Sequence, residues 1–244
     1  MHDRAISRAS LSRRCHRTMA DAADSWPLLK KLRRAAAAKV KTLESWGAEV
    51  VLTGDVWDDA NVAALERADQ DGLTYIHPFA DPTVITGQAT LAREMLKQSS
   101  QIDVIVAGIG GGGLISGVAL AAKAIKPEVR VIGVEPMGAP TLKTSIDTGV
   151  VAALETIETD AITLAPKKSA AVNVDIIGRL VDEIVLVDDN AMRSASQWLF
   201  DEMGVAAELS GAAAVAALQT RALRVPEDQT VAAIVCGRGG DGIL

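Results

Sequence analysis

The stretch from Asp103 to Gly117, DVIVAGIGGGGLISG, constrains this chain more than any other. Residues 104–122 carry no charge and are long enough to cross a bilayer as a helix, but six glycines interrupt them. Each glycine inside a helix costs about 1 kcal/mol relative to alanine, so a single continuous helix is excluded. The residues instead predict a buried strand over 103–107, a bare glycine turn over 110–113 and a helix over 114–126. A strand that opens through unshielded glycines onto a helix is a unit of α/β architecture, with parallel strands and helices as crossovers.

The rest of the chain repeats that alternation. Helices are expected at 35–46, stopped by Gly47, and at 57–71, capped by Asp55 and stopped by Gly72. Strands are expected at 48–53 and 73–76. The segment His77-Pro-Phe-Ala-Asp-Pro82 breaks the pattern, because two prolines remove donors and restrict their neighbours, and a domain crossing is placed there. Helices at 83–97, 141–148, 174–180, 190–203 and 210–223 and strands at 130–135, 183–187 and 231–236 follow, with residues 150–171 read as an irregular, mobile loop.

Bulk properties exclude several classes. With 49% hydrophobic and 23% charged residues over 244 positions, the chain has ample material for a core. A formal charge of −6 argues against general nucleic-acid binding. Cys15 and Cys236 make no disulfide framework, which makes a reducing cytoplasm the expected compartment, and His2, His16 and His77 have no metal-ligand spacing. The charge is uneven. Nine Lys/Arg against three Asp in the first 34 residues leave the remainder near −12, so two kinds of sequence meet near Ala35.

The glycines 110–113 are expected to bind a phosphate, since amides at a helix N-terminus hold a dianion without a basic side chain. A turn that merely lets strand and helix pack closely needs only one or two glycines. A dinucleotide is the rival ligand, because Gly108, Gly110 and Gly113 also satisfy G-x-G-x-x-G and Glu135 ends the next strand, where such a site places a ribose-binding carboxylate.

The tetraglycine and the Leu-Ile-Ser-Gly after it resemble the phosphate cradle of fold-type II pyridoxal-phosphate enzymes, the tryptophan-synthase-β-like fold, and in particular the serine/threonine dehydratases and serine racemases. Gly47-Ala-Glu-Val-Val, Gly54-Asp55, His77-Pro-Phe-Ala-Asp-Pro, Gly87-Gln88, Gly133-Val-Glu-Pro-Met-Gly-Ala-Pro140, Glu208-Leu-Ser-Gly-Ala-Ala-Ala214 and Cys236-Gly237 agree in order and spacing. The resemblance implies pyridoxal 5'-phosphate held by Gly110, Gly111, Gly112, Gly113 and Leu114, with Cys236 facing the pyridine nitrogen and Glu208 lining the ring. It also implies a cation near Glu135 and Ala139, a hydroxy amino acid as substrate, a homodimer, and a structural role for His77 at the domain junction. On residue type alone, Cys236 reads equally as an inert thiol and Glu208 as a solvated carboxylate.

The resemblance begins near Ala35, which assigns 1–34 to a non-family segment, 35–76 to a remnant of an incomplete small domain and 77–244 to the large cofactor-binding domain. The family's Schiff-base lysine, in a Ser-x-Lys-like context, and its Ser-x-Gly-Asn-His-like substrate loop have no counterpart, so the chain alone is expected to be inactive. Lys39, Lys41, Lys167 and Lys168 are read as solvated charges. The Arg-rich start imitates a transit peptide, but a shifted or mis-started reading frame explains both its composition and the abrupt return of family sequence.

Overall fold

The computed structural model describes residues 28–31, 37–54 and 57–239. Its centre is a four-stranded parallel sheet built from β3 (Val104–Gly108), β4 (Arg130–Pro136), β5 (Glu183–Val187) and β6 (Val231–Ala233), in the order β5-β4-β3-β6. The chain steps from β3 outward through β4 to β5, then returns to the other side of β3 with β6. The order therefore reverses between β3 and β6, and the crevice beyond their carboxyl ends is where open α/β sheets take ligands.

Strand β3 is buried at every residue because helices cover both faces. Val104 and Val106 point into one core with Ile132, Val134, Val185 and Val187, closed by α7 (Asp189–Met203) and α8 (Leu209–Gln219). Ile105 and Ala107 point the other way, into a core with α3 (Pro82–Gln98), α4 (Gly113–Ile125) and α6 (Ala171–Leu180). Helix α8 is sheathed on nearly all sides, so alanines at 212, 213, 214, 216 and 217 let it sit against the sheet. The helix α5 (Thr141–Thr148) follows β4.

A second, two-stranded parallel sheet pairs β1 (Leu28–Lys31) with β2 (Glu49–Leu52) through α1 (Ala37–Ser45), and α2 (Trp57–Asp71) follows. Trp57 of α2 forms an aromatic cluster with His77 and Phe79 of the following turn, with ring centroids 4.7 Å apart for Trp57–Phe79 and 4.5 Å for His77–Phe79. His77 Nδ1 accepts from the amides of Phe79 (3.3 Å) and Ala80 (3.0 Å), which fixes the turn at the crossing; burial lowers the His77 pKa, with Asp81 opposing. Asp81 then caps α3, accepting from the Thr83 amide at 2.6 Å, with Pro82 opening the helix.

Several expectations need correction. Residues 73–76 form no strand among the described residues, because they pair with neither sheet. A strand does form at Leu28–Lys31, in a stretch with no strand pattern. Strand β6 stops at Ala233 rather than Cys236, and α8 at Gln219 rather than Leu223, where Arg221 enters the left-handed region at φ 58°. Residues 150–170 are irregular, but a bridge between Ala153 and Lys168 and a 3-10 turn at Ile162–Leu164 anchor them, and α6 begins at Ala171 rather than 174. The expected cap Asp55 lies outside the described residues. Among the described residues, no helix is long and apolar enough to cross a membrane.

Candidate functional site: a phosphate cradle at the sheet's carboxyl edge

The glycine turn leaves β3 at its carboxyl end and enters α4 through Gly112, which takes φ 94°. The first helical bond runs from the Ser116 amide to Gly112 O. The amides of Gly110, Gly111, Gly112, Gly113 and Leu114 therefore donate to no acceptor among the described residues. Five unpaired donors at the positive end of a helix form a concentrated anion site.

The other side of the turn is packed solid. A Cβ at Gly111 would lie 2.3 Å from the Phe79 ring, one at Gly113 2.7 Å from Phe79 Cα, and one at Gly110 2.5 Å from Thr163 O. Asn173, fully buried, donates to both Gly111 O (2.7 Å) and Phe79 O (2.9 Å), and Ser169 Oγ gives Gly111 O a second bond at 2.9 Å. The carbonyl side of the turn is thus fastened while its amides stay unpaired. Thr163, Ser169 and Asn173 were not singled out in the sequence, and Phe79 only as part of the His77–Pro82 segment; the one signal for the others is a polar Asn inside the apolar helix start Ala-Val-Asn-Val.

Cys236 and Gly237 follow β6, the neighbour of β3 at the reversal. The Cys236 thiol donates to Ser210 O at 3.9 Å. The residue keeps solvent contact, yet crowding by protein atoms pushes its thiol up to about 11, with the charge of Glu208 adding to the shift. Glu208, 7% exposed, packs its carboxylate on Gly237, where a Cβ would sit 2.1 Å from Glu208 Oε1. Thr163 Oγ1 donates to Glu208 Oε1 at 3.3 Å, and Lys39 Nζ pairs with Glu208 Oε2. Lys39 is therefore not a solvated charge, whereas Lys41 is exposed: two residues apart on a helix point in nearly opposite directions.

Glu135 is 0% exposed at the end of β4. Its two oxygens accept the amides of Leu142 and Lys143, each at 2.8 Å, so it caps α5 from a distance in sequence. Burial pushes its carboxyl up to about 7 against the pull of those bonds. A dinucleotide site would require this carboxylate to face a ribose, and both of its oxygens are engaged. No group of three His, Cys, Asp or Glu able to hold a metal occurs among the described residues.

The fold and this crevice define a class: an α/β protein with a glycine turn of unpaired amides at the carboxyl ends of its parallel strands. Residues 26–237 match the family described as "Pyridoxal-phosphate dependent enzyme", and the chain belongs to that family. The match starts ahead of Ala35, where the resemblance in the sequence begins. An L-threonine ammonia-lyase of Thermotoga maritima is 37% identical over 186 residues, 76% of this chain and 46% of the relative. One from Geobacter sulfurreducens is 37% identical over 199 residues, 82% and 50% respectively. The chain thus spans about half the length of the curated relatives it matches. Among solved structures, maize serine racemase superposes with a TM-score of 0.78 at 32% identity, covering 85% of this chain and 64% of that one. The processed threonine deaminase isoform 2 of Solanum lycopersicum gives 0.77 at 33%, covering 86% and 58%. The fold is that of the fold-type II serine/threonine dehydratase family, whose cofactor is pyridoxal phosphate.

Proposed function

We propose that the chain holds pyridoxal phosphate in the manner of a threonine or serine dehydratase, an enzyme that converts a hydroxy amino acid to a 2-oxo acid and ammonia. The observation that carries this reading is the row of unpaired amides from Gly110 to Leu114, beside Cys236 at the same edge of the sheet. In this reading residues 35–76 belong to the small domain and 77–244 to the large one, in a cytoplasmic protein that pairs as a homodimer.

When bound, the cofactor supplies an electron sink for the substrate's α-carbon. The amides of Gly110, Gly111, Gly112, Gly113 and Leu114, with the N-terminus of α4, hold and orient its phosphate. Asn173, Ser169 and Phe79 keep the turn rigid, so its donors need no rearrangement. Cys236, its thiol kept protonated, would offer the pyridine nitrogen a neutral partner, which suits a dehydratase. Glu208 would line the ring. The weaker cation reading at Glu135 and Ala139 requires Glu135 to give up its bonds to α5, so added cations should leave ligand retention unchanged.

The sequence has no Ser-x-Lys-like or Ser-x-Gly-Asn-His-like motif, so the chain by itself is proposed to bind without turning over. In equilibrium dialysis the purified chain should retain pyridoxal phosphate, inorganic phosphate should compete, and threonine and serine should release no ammonia. Sustained ammonia release would refute the inactivity, and retention of NAD in place of pyridoxal phosphate would refute the cofactor.

A further inference from the structure

We infer that Lys39, although it lies outside the family's lysine motif, is the amine of this chain that captures the cofactor's aldehyde. The inference rests on the pyridoxal-phosphate reading above. Lys39 sits on α1, far in sequence from the glycine turn, yet its Nζ pairs with the Glu208 carboxylate, and its side chain is only 29% exposed. That carboxylate packs on Gly237, next to Cys236, and accepts from Thr163, whose carbonyl lies against Gly110. Lys39 thus stands on the residue that joins the two ends of the proposed site.

Other lysines are engaged elsewhere. Lys123 pairs with Asp182, Lys126 with Asp103 and Lys143 with Asp147, and Lys167 Nζ donates to Glu155 O. Among the described residues, Lys39 is the lysine in contact with a residue of the proposed site.

The chemistry balances without a further reactant. The ammonium gives up a proton, Nζ adds to the aldehyde carbon, and the carbonyl oxygen leaves as water, forming a carbon–nitrogen double bond. Glu208 is the adjacent base that can take that proton. Because α1 carries no substrate-carboxylate loop, capture at Lys39 supplies a covalent anchor and not a dehydratase.

The test is to equilibrate the full chain with pyridoxal phosphate, reduce with borohydride, digest and map the phosphopyridoxyl group by mass spectrometry. Retention is measured in parallel by dialysis without borohydride. Lys39→Arg preserves the charge beside Glu208 while removing the reactive amine, and circular dichroism checks its fold. The expected result is a label on the Lys39 peptide that inorganic phosphate suppresses, that pyridoxal without its phosphate fails to give at the same concentration, and that falls to background in K39R. Retention with the label absent from Lys39, or spread over surface lysines regardless of competitor, overturns the inference and leaves the cofactor reading standing. No retention by either the parent chain or K39R overturns both.

Discussion

Replacing Gly110 with alanine is expected to cut pyridoxal-phosphate affinity roughly ten- to a hundredfold and to lower stability by about 1–3 kcal/mol. The new Cβ would lie 2.5 Å from Thr163 O and 3.3 Å from Leu164 Cα, both backbone atoms with no rotamer to yield. The turn must move instead. That motion draws amides away from the phosphate, and losing one hydrogen bond to a charged group costs about 1.5–3 kcal/mol. It also shifts Thr163, which bonds Glu208, so both ends of the site are disturbed. Gly87→Ala is the control. Gly87 lies at an exposed position of helix α3 with nothing within 4 Å of an added Cβ, and alanine there should stabilise by about 0.5–1 kcal/mol. Dialysis and urea melts of the two variants check the contrast; equal effects would mean that the packing at Gly110 is not what shapes the turn.

The second large effect is expected at Glu135. Alanine there leaves the Leu142 and Lys143 amides without an acceptor, at a cost of about 1–3 kcal/mol for each buried donor orphaned. Glutamine keeps one acceptor oxygen and should fall between alanine and the parent. The pH dependence separates charge from shape. Burial raises the folded-state value of Glu135 from 4.5 to about 7, so between these values the native state holds more protons than the unfolded chain. The stabilisation this gives is complete below about 4.5 and is lost as pH rises through about 7. Urea midpoints of the parent chain should therefore fall relative to E135Q across that window. A difference that stays flat with pH would show that the carboxyl titrates normally.

The parts of the fold legible in the sequence are those set by local chemistry. Thr141–Thr148 and Glu183–Val187 occur within the expected bounds, and the charge-free run through the glycine turn divides into strand, turn and helix as its glycines require. What was not legible depends on partners distant in the chain. Residues 73–76 read as a strand but pair with neither sheet, whereas Leu28–Lys31 reads as unpatterned and becomes a strand because β2 lies beside it. At the site, the glycines announced themselves, but the Asn173 and Ser169 that fasten them and the Lys39 that reaches Glu208 did not. Nothing in the order of residues tells which of two lysines on a helix will face a carboxylate 169 positions away.

In the proposed function, free backbone donors after β3 grip the phosphate of the cofactor. Amide chemical shifts of the glycine-labelled chain, followed as pyridoxal phosphate is added, test it directly. The largest changes should fall on Gly110, Gly111, Gly112 and Gly113 together with Gly237. Inorganic phosphate should reproduce the first group and leave Gly237 unmoved. Binding of pyridoxal phosphate that leaves the four loop amides where they were would contradict the account.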